Sequence, residues 1–180
     1  MRIERIEPIT LRVPWGPSDW GQFRDWTIVR VYTNDGRIGT GRGGDAQLIR
    51  TEFEDLLVGQ DPANIAFHWQ AMFDKAWRFK GPGAAAMGSI CGIDIALWDL
   101  LGQAAGLPVW RLLGGYNNTV PVYADGIGYE NEDIERMAEK VSLHSKLGFD
   151  HVKIHLPGPD PDENVEKVRR SRQALGTDKK

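Results

Sequence analysis

The longest uninterrupted signal in the chain lies between residues 84 and 115. Met87, Ile90, Ile93 or Asp94, Leu97, Leu101 and Ala104 recur at steps of three and four, the spacing of one face of an α-helix. Ile95, Trp98 and Leu100 widen the stripe until little of the circumference stays polar, which predicts a helix buried in a core. Gly106 stands where a left-handed residue would end it, Pro108 prevents its resumption, and Gly114-Gly115 marks a second break.

Ahead of this helix the pattern has the period of strands. Ile3, Ile6, Ile9, Leu11 and Val13 predict an irregular first strand ending at Pro14. Residues 27–33 alternate, meet the hairpin signal Asn34-Asp35-Gly36 and return through residues 37–41, so a three-stranded antiparallel meander is expected. Residues 15–26 form a loop longer than a hairpin needs and carry Trp15, Trp20 and Trp26. Exposed indole is costly, so either these rings pack under a neighbouring domain or the loop closes over a ligand. Gly41-Arg42-Gly43-Gly44-Asp45 lacks the Lys-Ser/Thr of a phosphate loop and the spacing of a dinucleotide fingerprint, and reads as a turn. Asp45 is placed to cap a helix with Ile49, Phe53, Leu56 and Leu57 on one face, ending at Gly59. Asp61-Pro62 opens the next, with Ile65, Trp69, Met72, Phe73 and Ala76 inside and His68 off the stripe, at the surface.

After Gly115 strands and helices alternate. A strand at 120–124, a helix from near Glu132 to Leu147, a strand at 151–156 and a helix with Val165, Val168 and Leu175 inward predict parallel βαβ construction. In the second of these strands Val152, Ile154 and Leu156 face one way, and Lys153 and His155 the other. Two readings stand: an edge strand with a solvated polar face, or two proton-carrying groups at the end of a parallel strand, where such folds place their sites. In the second, burial would lower the lysine's basicity, and the like charge beside it would keep the histidine neutral.

Composition narrows the classes. The chain has 180 residues, 41% of them hydrophobic, and a net charge of −3, enough for one or two ordinary globular domains. Nothing marks a nucleic-acid binder: the dense basic run from Lys167 to Arg172 interrupts an amphipathic helix and reads as a solvated face. The single cysteine, Cys91, sits inside the apolar helix, excludes an intrachain disulfide and is expected in the core. No stretch reads as a signal peptide or membrane span, which leads to the expectation of a cytoplasmic protein without membrane partners.

Gly92-Ile93-Asp94-Ile95-Ala96-Leu97-Trp98-Asp99, then Gly106-Leu107-Pro108-Val109 and Arg111-Leu112-Leu113-Gly114-Gly115, resemble the last helix of the N-terminal domain in the enolase superfamily, mandelate racemase and muconate-lactonizing branch. The resemblance implies an α+β capping domain over residues 1–115, then the first two βα units of an incomplete TIM-type (β/α) barrel over 116–180. The 65 residues of that second part agree, since a whole barrel takes roughly 250. It further implies a Mg2+-dependent enzyme that removes the proton α to the carboxylate of a small acid, above all an acid-sugar dehydratase. Racemase, epimerase and cycloisomerase chemistry share that half-reaction, and a non-catalytic truncated domain is the alternative. Lys153 matches the first residue of the family's Lys-x-Lys motif, and His155 stands where the second lysine would be. The tryptophan-rich loop resembles the lid that selects substrate, so Trp15, Asp19, Trp20, Gln22 and Arg24 are implied substrate contacts; their polarity suits a hydroxylated acid. The Mg2+ ligands are implied beyond Lys180, with no metal ligand among these residues, and a homo-oligomer is expected.

Overall fold

The structure is a computed structural model that describes residues 1–14, 23–80, 83–129 and 132–179. It divides into two compact units, Met1–Tyr116 and Asn117–Lys180.

In the first unit the meander forms as expected. β1 (Ile3–Pro14), β2 (Phe23–Thr33) and β3 (Ile38–Arg42) make one antiparallel sheet in that order. The Asn34-Asp35-Gly36 turn joins β2 to β3, with Gly36 at φ 84°, a conformation that glycine adopts without strain. A register shift between Ile3 and Arg5 brings Ile3 and Ile6 to the same inner face despite their spacing of three, which explains the irregular first strand. β2 begins earlier than the alternation suggested. Arg24 pairs across from Val13 and Trp26 from Leu11, so both belong to a strand rather than to the loop. Trp26 lies under the Arg42 guanidinium, whose carbon is 3.7 Å from the ring centre.

The helical layer follows. Asp45 caps α1 (Ala46–Leu48) through the Leu48 N–H, a π-helical stretch Ile49–Phe53 follows, and α2 (Glu54–Leu57) ends the segment. Ile49, Phe53 and Leu57, four residues apart, are buried. Asp61 caps a turn through the Ala63 N–H rather than opening the helix itself, and α3 (Ile65–Lys80) starts later than expected. His68 is buried, not superficial. Its Nε2 lies 2.7 Å from the Asp61 carbonyl oxygen, a bond that binds α3 to the preceding turn and makes burial of the ring affordable.

α4 (Ala84–Ala105) closes the core, with Ile90, Ile93, Leu97 and Leu100 buried against the sheet and Gly106 ending it at φ 65°. Each such side chain contributes about 1.5–3 kcal/mol of burial. Length and composition alone would let α4 cross a membrane, but this inner face is part of the core. Cys91 is exposed rather than buried, and Ile95 is exposed too. The reason is that the inner face is set by small residues. A Cβ on Gly41 would lie 1.9 Å from the Gly92 carbonyl oxygen, and one on Gly39 2.1 Å from that of Ala96. β3 therefore touches α4 backbone to backbone, and the helix turns Gly92 and Ala96 inward and Cys91 and Ile95 away. Polar groups finish the contact: Asp99 accepts the Thr40 N–H at 2.8 Å, Gln103 donates to the Ile38 carbonyl at 2.8 Å, and Ser89 accepts the Asp45 N–H. The free edge of β3 is thus covered by helix side chains. The glycine run after residue 38 is a packing seam, followed by a turn. After α4, Leu107 and Pro108 lead into the short α5 (Val109–Leu112).

In the second unit β4 (Ala124–Ile127) and β5 (Val152–Ile154) pair in parallel. β4 lies later than the 120–124 expected, because Ala124 and Ile127 are the positions with a core to enter, while Val120 and Val122 stay exposed. α6 (Ile134–Lys146) is capped by Asp133, and α7 (Pro161–Leu175) by Asp160. Met137, Val141 and Leu175 pack with Ile127, Val152 and Ile154. The inner face of α7 differs from expectation: Val165 and Val168 are exposed, while Lys167, Ser171 and Leu175 are buried. The buried Lys167 ammonium is paired with Glu163, one turn earlier and 2.9 Å from its Nζ.

Gly41→Ala is expected to cost about 3 kcal/mol, since helix and sheet must separate to admit the methyl group. Gly36→Ala, left-handed but in open space, should cost about 1 kcal/mol. Urea unfolding of the two variants checks this, and equal midpoints would remove the seam from the account.

Candidate active site

The site is built on the face of the two-stranded sheet opposite the helices. Val152 and Ile154 point into the core with α6 and α7, so alternation turns Lys153 and His155 to the other side. There both meet Asp125, which β4 carries between the buried Ala124 and Ile127. Lys153 Nζ donates to Asp125 Oδ2 at 3.1 Å, and the Tyr129 hydroxyl donates to the same oxygen at 3.3 Å. Oδ1 accepts the Gly126 N–H at 2.7 Å. His155 Nε2 lies 3.4 Å from Oδ1, yet it is buried and makes no aligned hydrogen bond among the described residues. The Tyr129 ring covers the imidazole, with ring centres 3.7 Å apart.

Gly128 makes this geometry possible. A Cβ there would lie 2.1 Å from the His155 carbonyl oxygen, and the His155 N–H donates to the Ile127 carbonyl at 2.9 Å. The chain after β4 and the chain after β5 therefore run in direct contact, which fixes the backbone that carries His155. The loop is anchored from α6 as well: Glu132 accepts the Gly128 N–H at 3.1 Å and pairs with Lys140.

The electrostatics correct one expectation. Lys153 is held above its ordinary value, not below it, first because it donates to Asp125; desolvation acts the other way and is the weaker effect. Asp125 is held below its ordinary range, first by the Gly126 N–H and then by Lys153. Both side chains are more than a third exposed, so the ammonium is not buried as the alternation alone suggested. Lys153 is thus a fixed positive charge at neutral pH rather than a base.

The sequence reasoning found Lys153 and His155, which the structure brings together through Asp125. It missed Asp125 and Tyr129, because the strand was placed too early and because one strand's alternation does not show what the next strand presents. The signal available was a polar Asp-Gly between Ala124 and Ile127. Of the loop residues, Arg24 lies in β2 of the first unit, and Trp15, Asp19, Trp20 and Gln22 fall outside the described residues.

A magnesium ion does not fit the donors gathered here. Mg2+ takes hard oxygen ligands in near-octahedral array, whereas Asp125 is a single carboxylate already holding an ammonium, and beside it stand a histidine nitrogen and one phenol. Among the described residues no three His, Cys, Asp or Glu side chains converge as a metal would require.

Comparisons with known proteins agree on one lineage. Residues 21–114 match the family described as mandelate racemase / muconate lactonizing enzyme, N-terminal domain. A 3,6-anhydro-alpha-L-galactonate cycloisomerase of Streptomyces coelicolor is 34% identical, over 97% of this chain and 52% of its own length. A D-galactonate dehydratase of Klebsiella pneumoniae is 42% identical, over 89% of this chain and 45% of its own. A solved racemase from Streptomyces coelicolor A3(2) with bound magnesium superposes with a TM-score of 0.85 at 31% identity, covering 97% of this chain and 52% of that one. The chain spans about half the length of the curated relatives it matches.

The pH behaviour of the Asp125–Lys153 pair follows from its directions. Asp125, lowered from 3.8, stabilises the fold above that value and loses its contribution as acid crosses the lowered one. Lys153, raised from 10.5, contributes below that value and loses it as base crosses the raised one. The pair is therefore intact throughout the neutral range. Asp125→Asn should bring the Lys153 titration down toward the ordinary lysine value, measured by NMR of the 13C-labelled lysine; an unmoved titration would show that Asp125 does not hold it.

Proposed function

Because the chain belongs to the mandelate racemase / muconate lactonizing enzyme family of the enolase superfamily, we propose that it is the N-terminal portion of an acid-sugar dehydratase that removes the proton α to a carboxylate. The single observation that carries this reading is the convergence of Lys153 and His155 at the end of a parallel strand, one held as an ammonium and one with a free ring nitrogen. Several relatives are sugar-acid dehydratases, among them one for arabinonate and one for galactonate, which supports a hydroxylated carboxylic acid as substrate.

Removing a weakly acidic carbon proton builds negative charge on the carboxylate, so the chemistry needs a base near the α-carbon and cations at the oxygens. In this arrangement the Lys153 ammonium meets the substrate carboxylate, and the His155 imidazole receives the proton. Magnesium, bound in two solved relatives, would add charge stabilisation, but the residues here do not fit it. The half-reaction is shared by the epimerase and cycloisomerase relatives; loss of a β-hydroxyl is what would distinguish dehydration. A non-catalytic role is the second reading, favoured by Asp125 already neutralising the lysine.

The test is deuterium incorporation at the α-carbon of galactonate, arabinonate and related acids in D2O, followed by NMR. Exchange is expected, and Lys153→Ala and His155→Ala should each lower it by about 100-fold or more. Exchange equally fast in both variants would overturn the assignment, and no exchange with any acid would favour the non-catalytic reading.

A further inference from the structure

Asp125 does more than pair with Lys153. Its Oδ2 is occupied by the Lys153 ammonium and the Tyr129 hydroxyl, while Oδ1 accepts one backbone N–H and lies 3.4 Å from His155 Nε2. A carboxylate oxygen accepts more than one hydrogen bond, so Oδ1 has room for a second donor. Nε2 is the buried end of a side chain that is otherwise 30% exposed, so the open part of the ring lies away from it. The Tyr129 ring packs against the imidazole, and the Gly128 contact fixes the backbone behind it. A small rotation of the imidazole would align Nε2–H with Oδ1.

We propose that Asp125 is a positioning residue for His155: its Oδ1 holds the proton on Nε2, which leaves the Nδ1 lone pair as the one presented to a ligand. A neutral imidazole carries one N–H and one lone pair, and the hydrogen bond at one nitrogen decides which is which. Without the carboxylate, Nε2 would be a buried nitrogen facing no acceptor. That Nδ1 then takes the α-proton rests on the function proposed above. In that step the substrate C–H bond breaks and an N–H bond forms at Nδ1. The electron pair passes into the carboxylate as an enediolate facing the Lys153 ammonium. Asp125 keeps its charge throughout. Glu132 and Lys140, which bond the Gly126–Gly128 backbone, form an ion pair with each other.

Two-bond 1H–15N correlation of the ring nitrogens of His155 tests this on the unaltered chain at neutral pH. The expected result is an Nε2–H tautomer with an unprotonated Nδ1; a predominant Nδ1–H tautomer overturns the proposal without any variant. Asp125→Ala should bring the two tautomers toward equal population, whereas Asp125→Asn, which keeps an acceptor oxygen, should retain Nε2–H. An unchanged tautomer in Asp125→Ala would also overturn it. In the exchange assay Asp125→Ala should lower kcat by about 100-fold with KM changed less. If no acid exchanges yet the tautomer depends on Asp125, the positioning role stands and the enzymatic reading falls.

Discussion

The contact of β3 with α4 is the constraint on which the first unit depends. A strand and a helix normally stand a side chain apart; here the carbonyls of Gly92 and Ala96 occupy the space where side chains on Gly41 and Gly39 would be. That approach decides which way α4 is turned about its axis. Gly92, Ala96 and the large residues one step from them, Ile93 and Leu97, face the sheet, and Cys91 and Ile95 face away. It also brings Asp99 and Gln103 within reach of the strand's outer backbone groups, so the edge of the sheet is satisfied by the same helix that covers its face. Density and hydrogen bonding are thereby achieved together.

The second unit repeats this logic on a smaller scale, around Asp125, Lys153 and His155. Gly128 lets the turn after β4 lie against the His155 carbonyl, and this fixes the backbone on which the imidazole is mounted. Asp125 then gives one carboxylate two neighbours of different kind. The lysine is bound as an ammonium, and the histidine is approached but not yet bound. Two basic groups one residue apart on a strand would otherwise repel each other and compete for a proton. A shared carboxylate gives them different surroundings: Lys153 is held as an ammonium by Oδ2, while His155 Nε2 stands 3.4 Å from Oδ1.

Much of this was legible in the residues. The meander, its Asn34-Asp35-Gly36 turn, the Asp45 cap, the core helix ending at Gly106 and the alternation that separates Lys153 and His155 from Val152 and Ile154 all arise from local periodicity and turn chemistry. Errors arose where a residue's environment is supplied from a distance. His68 looked superficial because its partner, the Asp61 carbonyl, is backbone and leaves no mark in a side-chain pattern. Lys167 looked solvated because charge is normally exposed, yet it is buried, with Glu163 at the surface 2.9 Å from its Nζ. Lys153 was expected to lose basicity, and gained it from a carboxylate 28 residues away.

The sequence by itself determined the order of strands and helices and the two faces of β5, because helix and strand periods are properties of consecutive residues. Only the tertiary structure decided how α4 is turned on the sheet, which face of α7 is buried, and that Asp125 stands between Lys153 and His155. Those outcomes depend on the distance between backbones that are far apart in the chain, and no local period encodes a distance.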